Sequence, residues 1–289
     1  MRVACIGEAM IELSMNEAEA QVGVAGDTLN TAIYLKRAAP DIAVDYVTCL
    51  GDDPFSTKIM GFIAAQNIGC DNIRVITGKS PGLYAITTNE AGERAFTYWR
   101  NASAARQMFQ VGEEYDFSIL APYDVVYLSG ITMAILPQQV RLALMGWLQE
   151  TGARVAYDSN YRPRLWEDAT TARQITRALW SLADIALPSI DDEMALFEES
   201  AETVAARFAA GAAQGALKRG GLGPLSLGEA VDQTYAPAAN VVDTTAAGDS
   251  FNGGYLGALL AGKSQQVALK AGHDCASRVV QYRGAIIPA

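Results

Sequence analysis

The sequence predicts an α/β fold with a mostly parallel sheet. Short apolar runs rich in β-branched residues alternate along the chain with longer segments in which apolar residues recur at the helical period. Half of the 289 residues are hydrophobic, and no linker rich in proline or serine divides them. We therefore expect residues 1–289 to form one domain with a single α/β core.

Each predicted element follows from this alternation. The β-branched runs predict core strands at residues 3–6, 44–48, 125–128, 154–157 and 185–187. The helical period predicts helices at residues 28–38, 54–66, 137–150, 170–182, 250–260 and 264–282. A strand, a helix and a second strand in this order form a βαβ unit, so neighbouring core strands should pair in parallel.

The alternation is interrupted at residues 10–24 and 73–100. Both segments contain strand-like stretches separated by Gly, Asn and Pro, for example at residues 83–87 and 94–98. These stretches predict a small sheet that projects from the core, which we call the lid.

The composition excludes several classes of function. A net charge of −10, from 22 Lys and Arg against 32 Asp and Glu, argues against a surface for nucleic acid or anionic membrane. No apolar run approaches the length of a membrane span. The only histidine, His273, excludes sites that need two imidazoles, and we expect it to be structural. Four separate cysteines without a C-x-x-C pair indicate reduced thiols and a cytoplasmic protein.

One segment, residues 257–264, matches the phosphate-loop pattern G-x-x-x-x-G-K-[ST]. A phosphate loop follows a buried strand and opens a helix. Here Phe251, Tyr255 and Leu259 recur every four residues and predict one helix face that runs through the pattern. We therefore interpret Gly262 as the end of a helix and Ser264 as the N-cap of the next one.

A stronger candidate site lies at residues 243–251, between a predicted strand at 240–242 and an amphipathic helix. The small residues Ala246, Ala247 and Gly248 allow backbone N–H groups to approach an anion at the helix N-terminus. Asp249 in the first turn is placed to accept a proton from an attacking hydroxyl group during phosphoryl transfer. The alternative interpretation is that Asp249 and Ser250 only cap the helix.

Two arginines stand out as candidate ligands of a carboxylate in this acidic chain. Arg100 lies beside Tyr98 in a predicted lid strand, and Arg162 follows a predicted core strand. Strand alternation places Tyr98 and Arg100 on one face, which we choose for the substrate, and Trp99 on the other. Alternatively, both arginines are solvated surface residues and the aromatic residues, including Tyr84, pack within strands.

The same motifs carry a family resemblance. Residues 243–251 resemble the C-terminal signature of the ribokinase-like, or phosphofructokinase B, sugar kinases, and residues 25–30 resemble their N-terminal glycine motif. Matches to a branch of this family that phosphorylates 2-dehydro-3-deoxy-D-gluconate span nearly the whole chain, at residues 26–31, 81–84, 92–94, 98–101, 160–166 and 281–288. The resemblance implies a three-layer, ribokinase-like core whose largely parallel sheet is flanked by helices, with a β-sheet lid over the sugar.

The resemblance also implies roles for individual residues. Asp249 is the expected catalytic base, and the amides of Ala246, Ala247 and Gly248 are the expected anion hole. The expected sugar-binding residues are Gly26, Asp27, Asn30, Tyr84, Tyr98, Arg100, Arg162 and Asp249. The expected nucleotide-binding residues are Asn160, Ser189, Glu193, Lys218, Gly220, Gly221 and Gly248.

Metal positions follow from the same resemblance. Glu193 is expected to orient Mg²⁺ through water, although Ile190 stands where the family motif has asparagine. Asp243 and Thr245 match positions that bind a monovalent cation such as K⁺.

The expected activity is ATP-dependent phosphorylation of 2-dehydro-3-deoxy-D-gluconate at its C6 hydroxyl group. The expected partners are this sugar acid and ATP, with no nucleic acid and no membrane. A kinase for a neutral sugar such as fructose or ribose, or a nucleotide- or sugar-binding protein without turnover, remains the alternative. An exposed lid edge further predicts a homodimer or a larger homo-oligomer.

Overall fold

The computed structural model describes residues 1–15, 19–88, 94–211 and 213–288. The strands are β1 Arg2–Ile6, β2 Met10–Met15, β3 Ala20–Ala25, β4 Ala43–Leu50, β5 Ile73–Val75, β6 Gly82–Thr88, β7 Arg94–Trp99, β8 Gln110–Val111, β9 Glu114–Tyr115, β10 Val125–Ser129, β11 Arg154–Asp158, β12 Ile185–Leu187, β13 Gln214–Leu217 and β14 Leu225–Leu227. The helices are α1 Asp27–Ala38, α2 Pro54–Ala65, α3 Gly130–Ile135, α4 Gln138–Glu150, α5 Ala169–Leu182, α6 Ile190–Phe197, α7 Ala201–Ala209, α8 Ala247–Leu260 and α9 Gln265–Val279.

The core is an eight-stranded sheet in the order β14-β13-β12-β11-β10-β1-β4-β5. Its strand pairs are parallel except for β13 and β14. Alternate residues of β1 enter two separate apolar clusters: Val3 packs with α1, α8 and α9, whereas Ala4 packs with α4 and α5. The sheet therefore lies between two helical layers, which confirms the predicted fold class.

The lid is a four-stranded sheet in the order β3-β2-β6-β7. The central pair β2 and β6 is parallel, and the two outer pairs are antiparallel. Residues 16–18 and 89–93 of the predicted lid lie outside the described residues, as do residues 92 and 93 of the family-like segment 92–94.

Two predicted elements differ from the structure. Residues Ile73–Val75, assigned to the lid, instead pair with β4 at the edge of the core sheet. Residues 240–242 form no strand, because the amides of Val242 and Asp243 both donate to the carbonyl oxygen of Val280 rather than to a neighbouring strand. The apolar character of residues 240–242 could not show that they would lie beside Val280 and not beside a strand.

Residues 257–264 match the phosphate-loop pattern but form the end of one helix and the start of the next, which confirms the interpretation made from the sequence. The pattern begins inside α8, Gly262 has a left-handed φ of 78° just after that helix, and Ser264 Oγ accepts a hydrogen bond from the Val267 amide at the start of α9 (3.4 Å). Within the described ranges, none of the helices combines the length and the apolar character that a membrane crossing needs.

Candidate active site

A cavity of about 1340 Å³ opens beneath the lid, at the carboxyl ends of the core strands. This is the edge at which open parallel sheets bind ligands. It is lined by Asp158 at the end of β11, by Ser189 and Lys218 after β12 and β13, and by Tyr84 and Tyr98 of the lid. The start of α8, residues 246–249, forms a further part of its wall.

Asp249 lies in the first turn of α8, as the sequence predicts. Its Oδ2 atom accepts a hydrogen bond from Asn30 Nδ2 (2.8 Å). Burial, and then the negative charges of Asp27 and Asp158, raise the pKa of Asp249 to about 8, against the hydrogen bond from Asn30 and the positive charge of Lys218. Asp249 is therefore a carboxyl group that can exchange a proton near neutral pH.

The predicted anion hole surrounds the start of the same helix. Ala246 has a left-handed conformation (φ 59°), which turns the chain into α8 and is uncommon for a residue with a side chain. Ala246, Ala247 and Gly248 line the cavity, and the Ala247 amide donates to the carbonyl oxygen of Thr244 (3.2 Å). The helix dipole adds positive potential at this end.

The start of α1 forms the opposite wall. A Cβ atom on Gly26 would lie 2.3 Å from the carbonyl oxygen of Glu8, so only glycine fits there. Asp27 accepts hydrogen bonds from Ser129 Oγ and from Asn160 Nδ2 (2.8 Å for the latter), and burial raises its pKa. Asn30 Oδ1 is buried and has no hydrogen-bond partner among the described residues, which suits it to a sugar hydroxyl group.

Aromatic side chains of the lid cover this end of the cavity. The rings of Tyr84 and Tyr98 lie 5.7 Å apart on paired strands, and the Tyr84 hydroxyl group donates to Glu12. Tyr84 is buried, whereas 48% of Tyr98 is exposed. Trp99 follows Tyr98 on β7 and is 58% exposed.

The two arginines have different surroundings. Arg100 lies just after β7, not within a lid strand, and its buried guanidinium group forms an ion pair with the buried Glu8. Arg162 lies at the cavity rim with 53% of its side chain exposed, and its Nη1 atom is 3.3 Å from Asp192 Oδ1. The sequence predicted Arg100 within a lid strand; the strand ends at Trp99, and the pairing of Arg100 with the buried Glu8 excludes the alternative of a solvated surface arginine.

Six of the seven expected nucleotide-binding residues line the cavity, and Glu193 does not. Lys218 follows β13, and Gly220 (φ 56°) and Gly221 form a short 3₁₀ turn in the cavity wall. The Ser189 amide donates to Ser159 Oγ (2.9 Å). Asn160, expected among these residues, lines the cavity, donates to Asp27 Oδ2 (2.8 Å) and has a positive φ of 27°; its nucleotide-binding role stays a prediction.

Glu193 lies away from the cavity. Its side chain is fully buried, Oε1 accepts from Trp180 Nε1 (3.1 Å), and Oε2 pairs with Arg207 Nη2 (3.0 Å). Burial raises its pKa to about 7. Both carboxylate oxygen atoms of Glu193 thus have protein partners, and its role in orienting Mg²⁺ through water stays a prediction; the neighbouring Asp192 faces the cavity.

Asp243 and Thr245 lie just before α8. Asp243 Oδ1 accepts from the Thr245 amide (3.0 Å) and hydroxyl group (2.7 Å), and Oδ2 accepts from the Gly284 amide (2.8 Å). Among the residues that the structure describes, no group of three or more His, Cys, Asp or Glu side chains is arranged to hold a metal ion. Cation binding at Asp243 and Thr245 stays a prediction.

Sequence reasoning missed Asp158, Asp192, Asn252 and Glu8. Asp158 accepts hydrogen bonds from Lys218 Nζ (2.7 Å) and Asn252 Nδ2 (2.8 Å). A polar residue at the carboxyl end of an apolar strand is the available signal for Asp158, and a polar residue inside the apolar helix α8 is the signal for Asn252.

A mostly parallel α/β core, a small lid sheet above the cavity and a carboxyl group at the start of α8 are the features of a ribokinase-like sugar kinase. The family pattern of the pfkB family carbohydrate kinases matches residues 1–289, and the chain belongs to that family.

Individual proteins resemble the chain over nearly its full length. It is 44% identical to the 2-dehydro-3-deoxygluconokinase of Dickeya dadantii strain 3937, over 99% of this chain and 96% of that protein. It is 42% identical to the 2-dehydro-3-deoxygluconokinase of Escherichia coli strain K12, over 99% and 97%. The crystal structure of a PfkB protein from Polaromonas sp. JS666 superposes with a TM-score of 0.81 and 26% identity, covering 97% of this chain and 95% of that one.

Proposed function

We propose that this carbohydrate kinase transfers the terminal phosphoryl group of ATP to the C6 hydroxyl group of 2-dehydro-3-deoxy-D-gluconate. The observation that carries the proposal is the Asp249 carboxyl group, which Asn30 holds at the cavity-facing start of α8. The names and full-length identity of the two curated relatives support the choice of a sugar acid.

In the proposed reaction, the C6 oxygen attacks the terminal phosphorus atom while Asp249 accepts the hydroxyl proton. The bond from phosphorus to the bridging oxygen breaks, and ADP leaves with the electron pair. Backbone amides at Ala246 and Gly248, that of Ala247 once it leaves the Thr244 carbonyl oxygen, and the N-terminal end of α8 stabilise the charge on the transferring group. A pKa of about 8 for Asp249 suits a base that works near neutral pH.

Substrate selection is assigned to the sugar end of the cavity. Asp27 and the unpartnered Asn30 Oδ1 bind hydroxyl groups, and Arg100 and Arg162 bind the C1 carboxylate. Glu8 occupies one terminal nitrogen of Arg100, and the buried Arg100 Nε has no partner among the described residues. Part of the guanidinium group is therefore left for a ligand.

Cation binding is proposed on this chain's own oxygen donors. Mg²⁺ with its bound water suits one or two carboxylates plus the nucleotide phosphates, and Asp192 faces the cavity with that chemistry. When bound, Mg²⁺ neutralises charge on the phosphates. Asp243 and Thr245 offer carboxylate and hydroxyl oxygens for a monovalent cation such as K⁺, beside the start of α8.

An ADP-release assay across a panel of sugar acids and neutral sugars tests the function. We expect the highest kcat/KM with 2-dehydro-3-deoxy-D-gluconate and a product phosphorylated at C6, as identified by ³¹P and ¹³C NMR. Preference for fructose or ribose would favour the neutral-sugar kinase, and the absence of turnover with every compound would favour a binding protein.

We also propose that the protein is cytoplasmic and assembles as a homodimer or larger homo-oligomer through the lid. The four cysteines are free thiols, which supports a cytoplasmic location. The lid face opposite Tyr84 and Tyr98 exposes Trp99 (58%) and Val22 (41%), which supports assembly through the lid. Light scattering at micromolar concentration should give at least twice the mass of one chain. A fully active monomer would contradict the assembly.

A further inference from the structure

Three polar side chains form a closed cluster behind the anion cradle. Lys218 Nζ donates to Asp158 Oδ1 (2.7 Å) and to Asn252 Oδ1 (3.1 Å), and Asn252 Nδ2 donates to Asp158 Oδ2 (2.8 Å). Each member thus contacts the other two. They come from three different elements: the ends of β11 and β13, and the second turn of α8.

The cluster is fixed by the core. Asn252 and Asp158 are buried, and Asn252 Nδ2 also lies 3.1 Å from the Tyr127 hydroxyl group. That hydroxyl group is 3.1 Å from Thr31 Oγ1, which donates to the backbone carbonyl oxygen of Asp249 (3.2 Å). A continuous chain of hydrogen bonds therefore joins Asn252 to the residue that carries the proposed base.

Lys218 is the member that reaches the cavity. An ammonium group has three N–H donors, and the cluster uses two of them. Lys218 lines the cavity, and a methyl group on Gly248 would lie only 3.8 Å from its Nζ atom. The third donor is therefore available beside the cradle that receives the phosphate.

We propose that Asn252 and Asp158 are positioning residues that hold the Lys218 ammonium group against the cradle, where it binds the terminal phosphate of the nucleotide. The inference rests on the proposed function only in taking a nucleoside triphosphate as the ligand. Asp158 balances the positive charge, and the neutral Asn252 fixes the direction of the ammonium group without adding charge. A lysine with four rotatable bonds would otherwise lose more freedom when it binds phosphate.

The test is calorimetric titration of adenylyl imidodiphosphate and of AMP, in Mg²⁺-containing buffer without sugar. Lys218→Ala gives the full loss of affinity for adenylyl imidodiphosphate that follows from removing the ammonium group. Asn252→Leu should weaken adenylyl imidodiphosphate binding about tenfold, the usual effect of one charge-assisted hydrogen bond, and change AMP binding less than about twofold. Asn252→Ser serves as a second variant if the leucine disturbs folding.

Tyr255→Phe is the matched control. Tyr255 is also buried on α8, but its hydroxyl group donates to Gln265 (2.7 Å) away from the cavity, and both nucleotides should bind this variant as they bind wild type. The proposal is overturned if the Asn252 variants bind adenylyl imidodiphosphate like wild type, or if they lose both nucleotides by one factor. Because no sugar is present, this result is independent of whether the sugar-acid activity is correct.

Discussion

Two regions of the cavity differ in structure: the buried end around Asp249 and the rim around Tyr98 and Arg162. Around Asp249, the side chains come from core strand ends and from the first turns of α1 and α8, and they are bonded to one another. At the rim, about half of the Tyr98 and Arg162 side chains is exposed. We infer that phosphoryl transfer would depend on side chains held in place by the core, whereas substrate selection would depend on partly exposed side chains that a bound ligand orders.

The largest effect is expected at the buried end. Asp249→Asn keeps the shape of the side chain but cannot accept a proton, so kcat should fall by about 10² to 10⁴ while ATP-analogue binding survives. Steady-state kinetics and calorimetry measure the two quantities. Asp191→Asn, an exposed carboxyl group on the same cavity, is the control and should keep wild-type turnover. Wild-type turnover in Asp249→Asn would remove Asp249 from its role.

A smaller effect is expected at the rim. Arg162→Ala should raise KM for the sugar acid about ten- to a hundredfold, because a charge-assisted hydrogen bond to the carboxylate is lost. Because Arg162 also pairs with Asp192 near the proposed metal position, kcat should fall as well. This fall should be smaller than in Asp249→Asn, since the proposed base is kept. Initial rates at saturating ATP test this. An unchanged KM would place Arg162 outside the sugar site.

The pH dependence of kcat/KM should report the buried end. Since burial raises the pKa of Asp249 to about 8, the carboxylate base becomes protonated as pH falls through that value. We expect kcat/KM to fall about tenfold per pH unit well below pH 8, with a plateau above it. A profile that stays flat from pH 6 to pH 9 would contradict a titrating base of raised pKa.

The smallest effect is on stability. The folded protein keeps a proton on Asp249 between the ordinary aspartate pKa of 3.8 and about 8, whereas the unfolded chain releases it. Stability from this group is therefore lost as pH rises through that window. Asp249→Asn should raise Tm at pH 9 by at least about 2 °C, with a smaller gain at pH 6. A lower Tm at pH 9 would contradict the linkage.

Local sequence signals predicted five of the eight core strands, the lid tyrosines and the helix starts that carry Gly26, Asn30 and Asp249. These signals are short: a glycine, small residues, and the change from strand to helix period. They could not show that residues 73–75 complete the core sheet, because an edge strand and a lid strand have the same apolar pattern.

The partners of the functional side chains could not be predicted from local signals. Lys218 and Asp158 are 60 residues apart, and Arg100 and Glu8 are 92 residues apart. Only the fold brings each pair together. The motif around Glu193 likewise gives its position on α6, but not that its carboxylate turns toward Arg207.

The central claim, that Arg100 and Arg162 select a sugar acid while Asp249 serves its phosphorylation, is tested most directly by a specificity ratio. The measurement compares kcat/KM for 2-dehydro-3-deoxy-D-gluconate and for its uncharged C1-reduced analogue in wild type, in Arg100→Ala and in the outer-face control Trp99→Phe. We expect a ratio of about 10 to 100 in wild type and the control, and a ratio near one in Arg100→Ala. Equal use of both compounds by wild type, or an equal loss for both in Arg100→Ala, would contradict the claim.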